Sequence, residues 1–133
     1  GIKISEEAMN AYNKLKLDKN VRAIVFKIND AQTEIVVDKT YPLEATLQNI
    51  VDELPTRDSR YITYDLIVPQ DGCETSKLTF ILWAPQDASS RSKISYTTTK
   101  AACLDNWHGI QLQIQATSFD EVTLEYFMAK LKK

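Results

Sequence analysis

Bond-making chemistry in this chain would have to come from few residues. His108 is the only histidine among 133 residues, and Cys73 and Cys103 are the only cysteines. An enzyme needs a nucleophile beside a base, a metal set, or paired carboxylates in a pocket. His108 stands next to Gly109, where the pattern predicts a helix end, a place suited to a capping or dipole role. The cysteines form no C-x-x-C and lie near no second histidine, so neither a disulfide scaffold nor a zinc site is signalled, and free thiols are expected. Apolar Ala102 and Leu104 flank Cys103, which favours burial; a thiol-dependent enzyme would need a low-pKa thiolate in an accessible site. Glu6-Glu7 and Asp120-Glu121 read as helix-start residues rather than acid/base partners. Gly1, Gly72 and Gly109 are the only glycines. They are too scattered to build a phosphate-cradling loop. No cofactor and no metal are expected.

What remains is a binding surface. Acids outnumber bases 18 to 16 in the whole chain, yet Ala88 to Lys100 carries Arg91, Lys93 and Lys100 and no acid. Such a local reversal of sign marks a face that could meet an acidic partner. Ile94 and Tyr96 between the cations add apolar contact area, the composition of a helix laid into a groove. The alternative is a basic but merely solvated face. A net charge of -2 and a pI near 5.4 argue against nucleic acid as the partner, because phosphate recognition needs a basic footprint.

The elements that position this stretch follow from pattern. Asp87, Ser89 and Ser90 supply helix-start chemistry after the Trp83-Ala84-Pro85 turn, and Gly109 suits the stop of the long helix that follows. Ser5-Glu6-Glu7 opens an earlier helix with Ala8, Met9, Tyr12 and Leu15 on one stripe. Val21 to Ile28 and Thr33 to Asp38 read as a hairpin about Asn29-Asp30. Pro42 near the start, then Leu43, Leu47, Ile50, Val51 and Leu54, predict a second amphipathic helix. Arg60 to Val68 and Lys77 to Trp83 read as central strands joined by a polar loop over Pro69 to Ser76. Ile110 to Gln115 alternates as a strand near an edge. Ser118 and Glu121 have capping-box spacing before a closing helix through Val122, Tyr126, Phe127 and Leu131 to Lys130, Lys132 and Lys133. This order gives an α/β three-layer sandwich with a mixed sheet of about five strands. The length suits one globular domain over 1–133. No run approaches bilayer length and no charged-then-apolar leader is seen, so a cytosolic protein is expected.

Several stretches together resemble the actin-depolymerising factor and cofilin family (the ADF-homology domain). Trp83-Ala84-Pro85-Gln86-Asp87, Arg91-Ser92-Lys93-Ile94-Ser95-Tyr96 and Thr97-Thr98-Thr99-Lys100 are similar to its W-x-P-D…R/K-S-K-M-x-Y-A-S-S-K signature. Asn29 to Val37, Leu54 to Tyr61 and Gly109 to Thr117 resemble its N-D-A-K-T-E-I-V-V, L-P-x-x-D-C-R-Y and G-I-x-x-x-I-Q-A-T segments. The resemblance implies a gelsolin-like three-layer fold and a monomeric, cytoplasmic, non-enzymatic partner of actin that promotes filament disassembly. In the family the long helix and the first residues enter the cleft between actin subdomains one and three. That picks out Gly1, Ile2, Arg91, Lys93, Ile94, Thr98, Thr99 and Lys100 for monomer binding. A second, filament-specific surface would use Lys77, Lys130 and Lys133.

The chain also departs from the pattern. Thr75 stands where a cation is common, and Ala129 where an acid often precedes the cation. Ala101 replaces an acid, and Leu104 and Asp105 replace two cations. Weakened filament binding or severing, and weak phosphoinositide binding, are therefore expected beside secure monomer binding. Coactosin, twinfilin and glia maturation factor are the alternatives within the same architecture.

Overall fold

The computed structural model describes residues 2–132. Its elements are β1 (Lys3–Ile4), α1 (Glu6–Leu17), β2 (Val21–Ile28), β3 (Glu34–Pro42), α2 (Leu47–Val51), β4 (Arg60–Gln70), β5 (Cys73–Trp83), α3 (Ser90–Asn106), β6 (Leu112–Ala116) and α4 (Leu124–Leu131). The strands make one mixed sheet in the order β1-β3-β2-β4-β5-β6, with parallel pairing at the two ends and antiparallel pairing between. The expected three-layer architecture is present. Six strands stand where about five were expected, because two-residue β1, too short to show a period, adds to the edge of β3.

Alternation along the strands separates two cores. On one face Ile24, Phe26, Tyr61, Phe80 and Leu82 meet Tyr12 and Leu15 of α1 and Tyr96, Cys103 and Trp107 at α3. On the other, Val25, Ile62, Ile81, Trp83 and Ile114 meet Leu47 and Ile50 of α2 and Phe127 of α4. Thus α1 and α3 cover one side of the sheet, and α2 and α4 the other.

Local signals explain where several elements begin. Ser5 and Ser89 cap α1 and α3 through their side chains, accepting from Ala8 N and Ser92 N. Asn29 Oδ1 accepts from Thr33 N at 2.9 Å and Glu34 N at 3.1 Å, which closes the β2–β3 turn. Asp71 and Gly72 take φ values of 53° and 81°, the paired positive angles of a two-residue hairpin turn. The predicted loop over Pro69 to Ser76 is therefore mostly strand, since so tight a turn lets pairing run from Arg60↔Trp83 to Gln70↔Cys73.

Two helix starts also differ from expectation. Pro42 ends β3 rather than starting a helix, and α2 is a short helix with a capping box between Thr46 and Asn49. Ser118 makes no side-chain cap; Phe119–Glu121 is a 3₁₀ turn and Thr123 caps α4 by accepting from Tyr126 N at 3.1 Å. Glu121 instead accepts from Thr117 N, holding the exit of β6. At the far end of α3 the helix stops at Asn106, three residues before Gly109. Gly109 has φ of 91°, a left-handed conformation that favours glycine, while the Lys16 side chain that a Cβ there would meet is free to swing aside.

Candidate functional site

The long helix α3 presents a free face whose make-up follows from its packing. Residues of an α-helix turn by about 100° each, and Tyr96, Thr99 and Cys103 fall together on the side that faces the sheet. Opposite them, Arg91, Ile94, Thr97, Thr98, Ala101 and Asp105 are exposed. Ile94 is 62% exposed, second only to Leu17 among the large apolar side chains of the described residues. The helical angles put Arg91 on one flank of this face and Lys93 with Lys100 on the other, with Ile94 and Ala101 near the centre. The three cations therefore bracket an apolar strip rather than forming one patch. Lys93 is half-buried and its Nζ donates to Gln86 O at 2.8 Å, so the Trp83-Pro85 turn and the helix hold each other.

Two expected members do not lie on that face. Thr99 is only 8% exposed and belongs to the packing side. Tyr96 is buried; its hydroxyl accepts from Ile28 N at 2.8 Å, and Tyr61 Oη donates to Tyr96 O. Burial raises the pKa of both phenols, outweighing the Ile28 N–H and Arg60 that pull Tyr96 the other way, so each stays protonated. Thr98 is exposed, and its hydroxyl donates back to Ile94 O at 2.9 Å. Ile2 packs against the α1–α3 core, and α3 touches β1, which brings the start of the chain beside the helix. Gly1 lies outside the described residues.

A polar cluster at the N-terminal end of α3 fixes its position, and the sequence showed it only as a turn. Asp58 accepts from Ser92 Oγ at 3.1 Å, from Ser59 N at 2.8 Å and from Arg60 Nη1 at 2.6 Å. Arg60 Nε also donates to Asp38 Oδ2 at 3.1 Å, joining the helix to β3 through β4. Partial burial pushes the Asp58 carboxyl upward, but Arg60 and the Ser59 and Ser92 donors outweigh it and hold it below the usual carboxylate range.

The second set of expected residues lies on the other side of the sheet. Lys77 pairs with Leu66, whose side chain is in the α2–α4 core, so Lys77 projects from that face, as does Thr75 opposite Val68. Lys130 is exposed on α4, with its Nζ 5.3 Å from the centre of the Tyr126 ring. Lys133 lies outside the described residues. Cys103 is fully buried, and desolvation pushes its thiol up to about 12, the reverse of what a nucleophile needs. Cys73 is exposed at the β4–β5 turn. Among the described residues, no helix is long and apolar enough to cross a membrane.

An α/β scaffold with an open helix face, flanked by cations and backed by an aromatic core, has the shape of a surface that docks another macromolecule. The comparisons make that class specific. Over residues 1–132 the sequence matches the family described as cofilin/tropomyosin-type actin-binding protein, and the chain belongs to this family. It is 38% identical to actophorin of Entamoeba histolytica over 99% of this chain and 96% of that protein. A cofilin of Ogataea parapolymorpha is 40% identical, with 100% and 94% of the two chains covered. Among solved structures, Streptomyces griseoflavus cofilin superimposes with a TM-score of 0.91 at 32% identity, over 98% of this chain and 97% of that one. The resemblance seen in the motifs thus holds over the matched length.

Proposed function

We infer that this chain is a single-domain actin-binding protein that engages actin monomers through the free face of α3 and promotes filament disassembly. The observation that carries the reading is the exposed Ile94 strip bracketed by Arg91, Lys93 and Lys100 on a helix whose opposite side is locked into an aromatic core. Ile94 and Thr98 supply the contact area, Arg91, Lys93 and Lys100 meet acidic groups on the rim of the actin cleft, and Ile2 extends the surface toward the start of the chain. Lys77 and Lys130, on the opposite side of the sheet, form the second contact needed on a filament. Lys133 completes that set.

No bond is made or broken. The chain shifts actin toward the ADP-bound, twisted filament conformation by binding it better than the alternative, and the strain at the edges of a decorated stretch breaks the filament. Such a shift is limited by the difference in affinity for the two states.

Asp105 faces outward on the same stripe as Ile94 and Thr98, at the end of α3, where no basic residue occupies the last turn. It weakens contact with an acidic partner or a phosphoinositide headgroup, while Leu104 is half-buried against the core and adds no charge. Monomer binding is therefore the more secure activity, and filament binding and severing the weaker ones. The protein acts as a monomer in the cytoplasm, on the actin cytoskeleton. Co-sedimentation with filaments, paired with nucleotide exchange on monomeric actin, tests this order. Inhibited exchange with partial co-sedimentation is expected; tight co-sedimentation without any effect on exchange contradicts it.

A further inference from the structure

Strands β4 and β5 run past their neighbours. Pairing of β4 with β2 ends at Ala23↔Tyr64, and pairing of β5 with β6 begins at Thr79↔Leu112. From Asp65↔Leu78 to Gln70↔Cys73 the two strands pair only with each other, as a projecting ribbon. Leu66 and Leu78 root it in the two cores and Val68 packs against the α2–α4 side, but beyond them a two-stranded ribbon by itself is only marginally stable in water. This one carries Thr75 and Lys77 on the face shared with α4, so its direction decides where that cation points.

Its root is tied in several places. Arg22 Nη1 donates to Asp65 O at 3.0 Å, and Gln111 N donates to Leu78 O at 2.8 Å. One tie reaches further out. Lys19 Nζ donates to Ser76 Oγ at 2.9 Å, and Ser76 Oγ donates to Asp65 Oδ1. Asp65 is 2% exposed, a carboxylate that must be hydrogen-bonded where it lies. Lys19 has a positive φ of 52° in the bend after α1, which costs energy in a residue other than glycine, asparagine or aspartate. The ribbon's even-numbered β5 residues face the α1–α3 side, so Ser76 is gripped from behind while Lys77 is presented in front.

We propose that Lys19, Ser76 and Asp65 form a latch that sets the direction of the β4–β5 ribbon, and that Ser76 is a positioning residue for the filament-side contact of Lys77. This rests on the actin reading for its functional half alone. The latch itself is a property of the fold. It separates the two activities, because the latch runs from the end of α1 to the ribbon and includes no residue of α3.

Ser76→Thr and Ser76→Val have nearly the same shape and strand preference, but only the first keeps the hydroxyl. Hydrogen exchange on the intact chain reads the latch directly: Ser76→Val and Lys19→Ala speed exchange within 66–77 and leave 79–83 unchanged, and Ser76→Thr behaves as wild type. Unchanged exchange in Ser76→Val, or equal acceleration in Ser76→Thr, overturns the latch. Co-sedimentation with filaments reads its consequence: Ser76→Val binds about fivefold more weakly, the size expected from one ordinary hydrogen bond, while affinity for monomeric actin is unchanged. Equal losses on monomer and filament, or no loss on either, overturn the positioning role. A wild-type chain that binds no actin at all overturns the functional half together with the reading it rests on, and the exchange result still decides the latch.

Discussion

The two surfaces that would meet actin are held in different ways. Under the free face of α3 lies the densest aromatic packing of the molecule: Trp107 sits 4.4 Å from Phe26, 5.4 Å from Tyr12 and 6.2 Å from Phe80 between ring centres, and Tyr61 lies 4.9 Å from Tyr96. Beneath the projecting part of β4–β5 the apolar support thins to Leu66 and Leu78 at its root and Val68 further out, and polar ties supply the rest. A surface backed by rings is fixed by burial, which is non-directional and large; one backed by hydrogen bonds is fixed by geometry and is weaker per contact. The difference teaches that the monomer-side surface should survive single polar changes, and that the filament-side surface should be tunable by them.

The comparison breaks most directly if the aromatic support is dispensable. Trp107→Ala should cost about 3–5 kcal/mol of unfolding free energy in urea titrations, the usual range for emptying a buried aromatic site. A cost under about 1 kcal/mol would place the support of α3 elsewhere. Tyr96→Phe should have a smaller effect, about 1–3 kcal/mol, since it leaves the buried amide of Ile28 without its acceptor while keeping the ring.

Acid sharpens the comparison at the N-terminal end of α3. The folded-state pKa of Asp58 is depressed, so its contribution is present above the unfolded value of about 3.9 and is lost as pH falls through the folded value. Urea midpoints between neutral pH and about pH 3 should therefore fall less steeply for Asp58→Asn than for wild type. Parallel curves would remove Asp58 from the account. The smallest effect is kinetic: Ellman's reagent should modify one thiol at once, Cys73, and reach Cys103 only after unfolding. Two fast thiols in the native chain would show that the core under α3 is open.

Much of this was legible in the sequence because the signals were local. Ser5 and Ser89 announce their helices, and Asn29 announces its turn. The apolar period gave both faces of the sheet their helices. Failures arose where a local signal had competitors. Ser118 and Glu121 have the spacing of a capping box, but Glu121 turns back to Thr117 and Thr123 takes the cap. Polar residues from Pro69 to Ser76 read as a loop, although the Asp71-Gly72 pair makes a turn tight enough to extend both strands.

At the site, residue types showed the cations and Ile94 but not their arrangement. Angle along a helix is meaningful only once the buried side is known, so the inward turn of Thr99 and Tyr96 and the opposite flanks taken by Arg91 and Lys93 needed the packing. The Asp58–Ser92 and Ser76–Asp65 ties join distant parts of the sequence, and no local pattern announces them.

One titration bears most directly on the central claim that the free face of α3 grips monomeric actin. Arg91→Ala/Lys93→Ala removes a cation from each flank of the Ile94 strip and leaves the aromatic core intact. Against fluorescently labelled ADP-bound monomers, the folded double variant should bind at least about tenfold more weakly, the loss expected when charge-assisted rim and interface contacts are removed together. Affinity equal to that of wild type, with an unchanged circular dichroism spectrum, would contradict the claim.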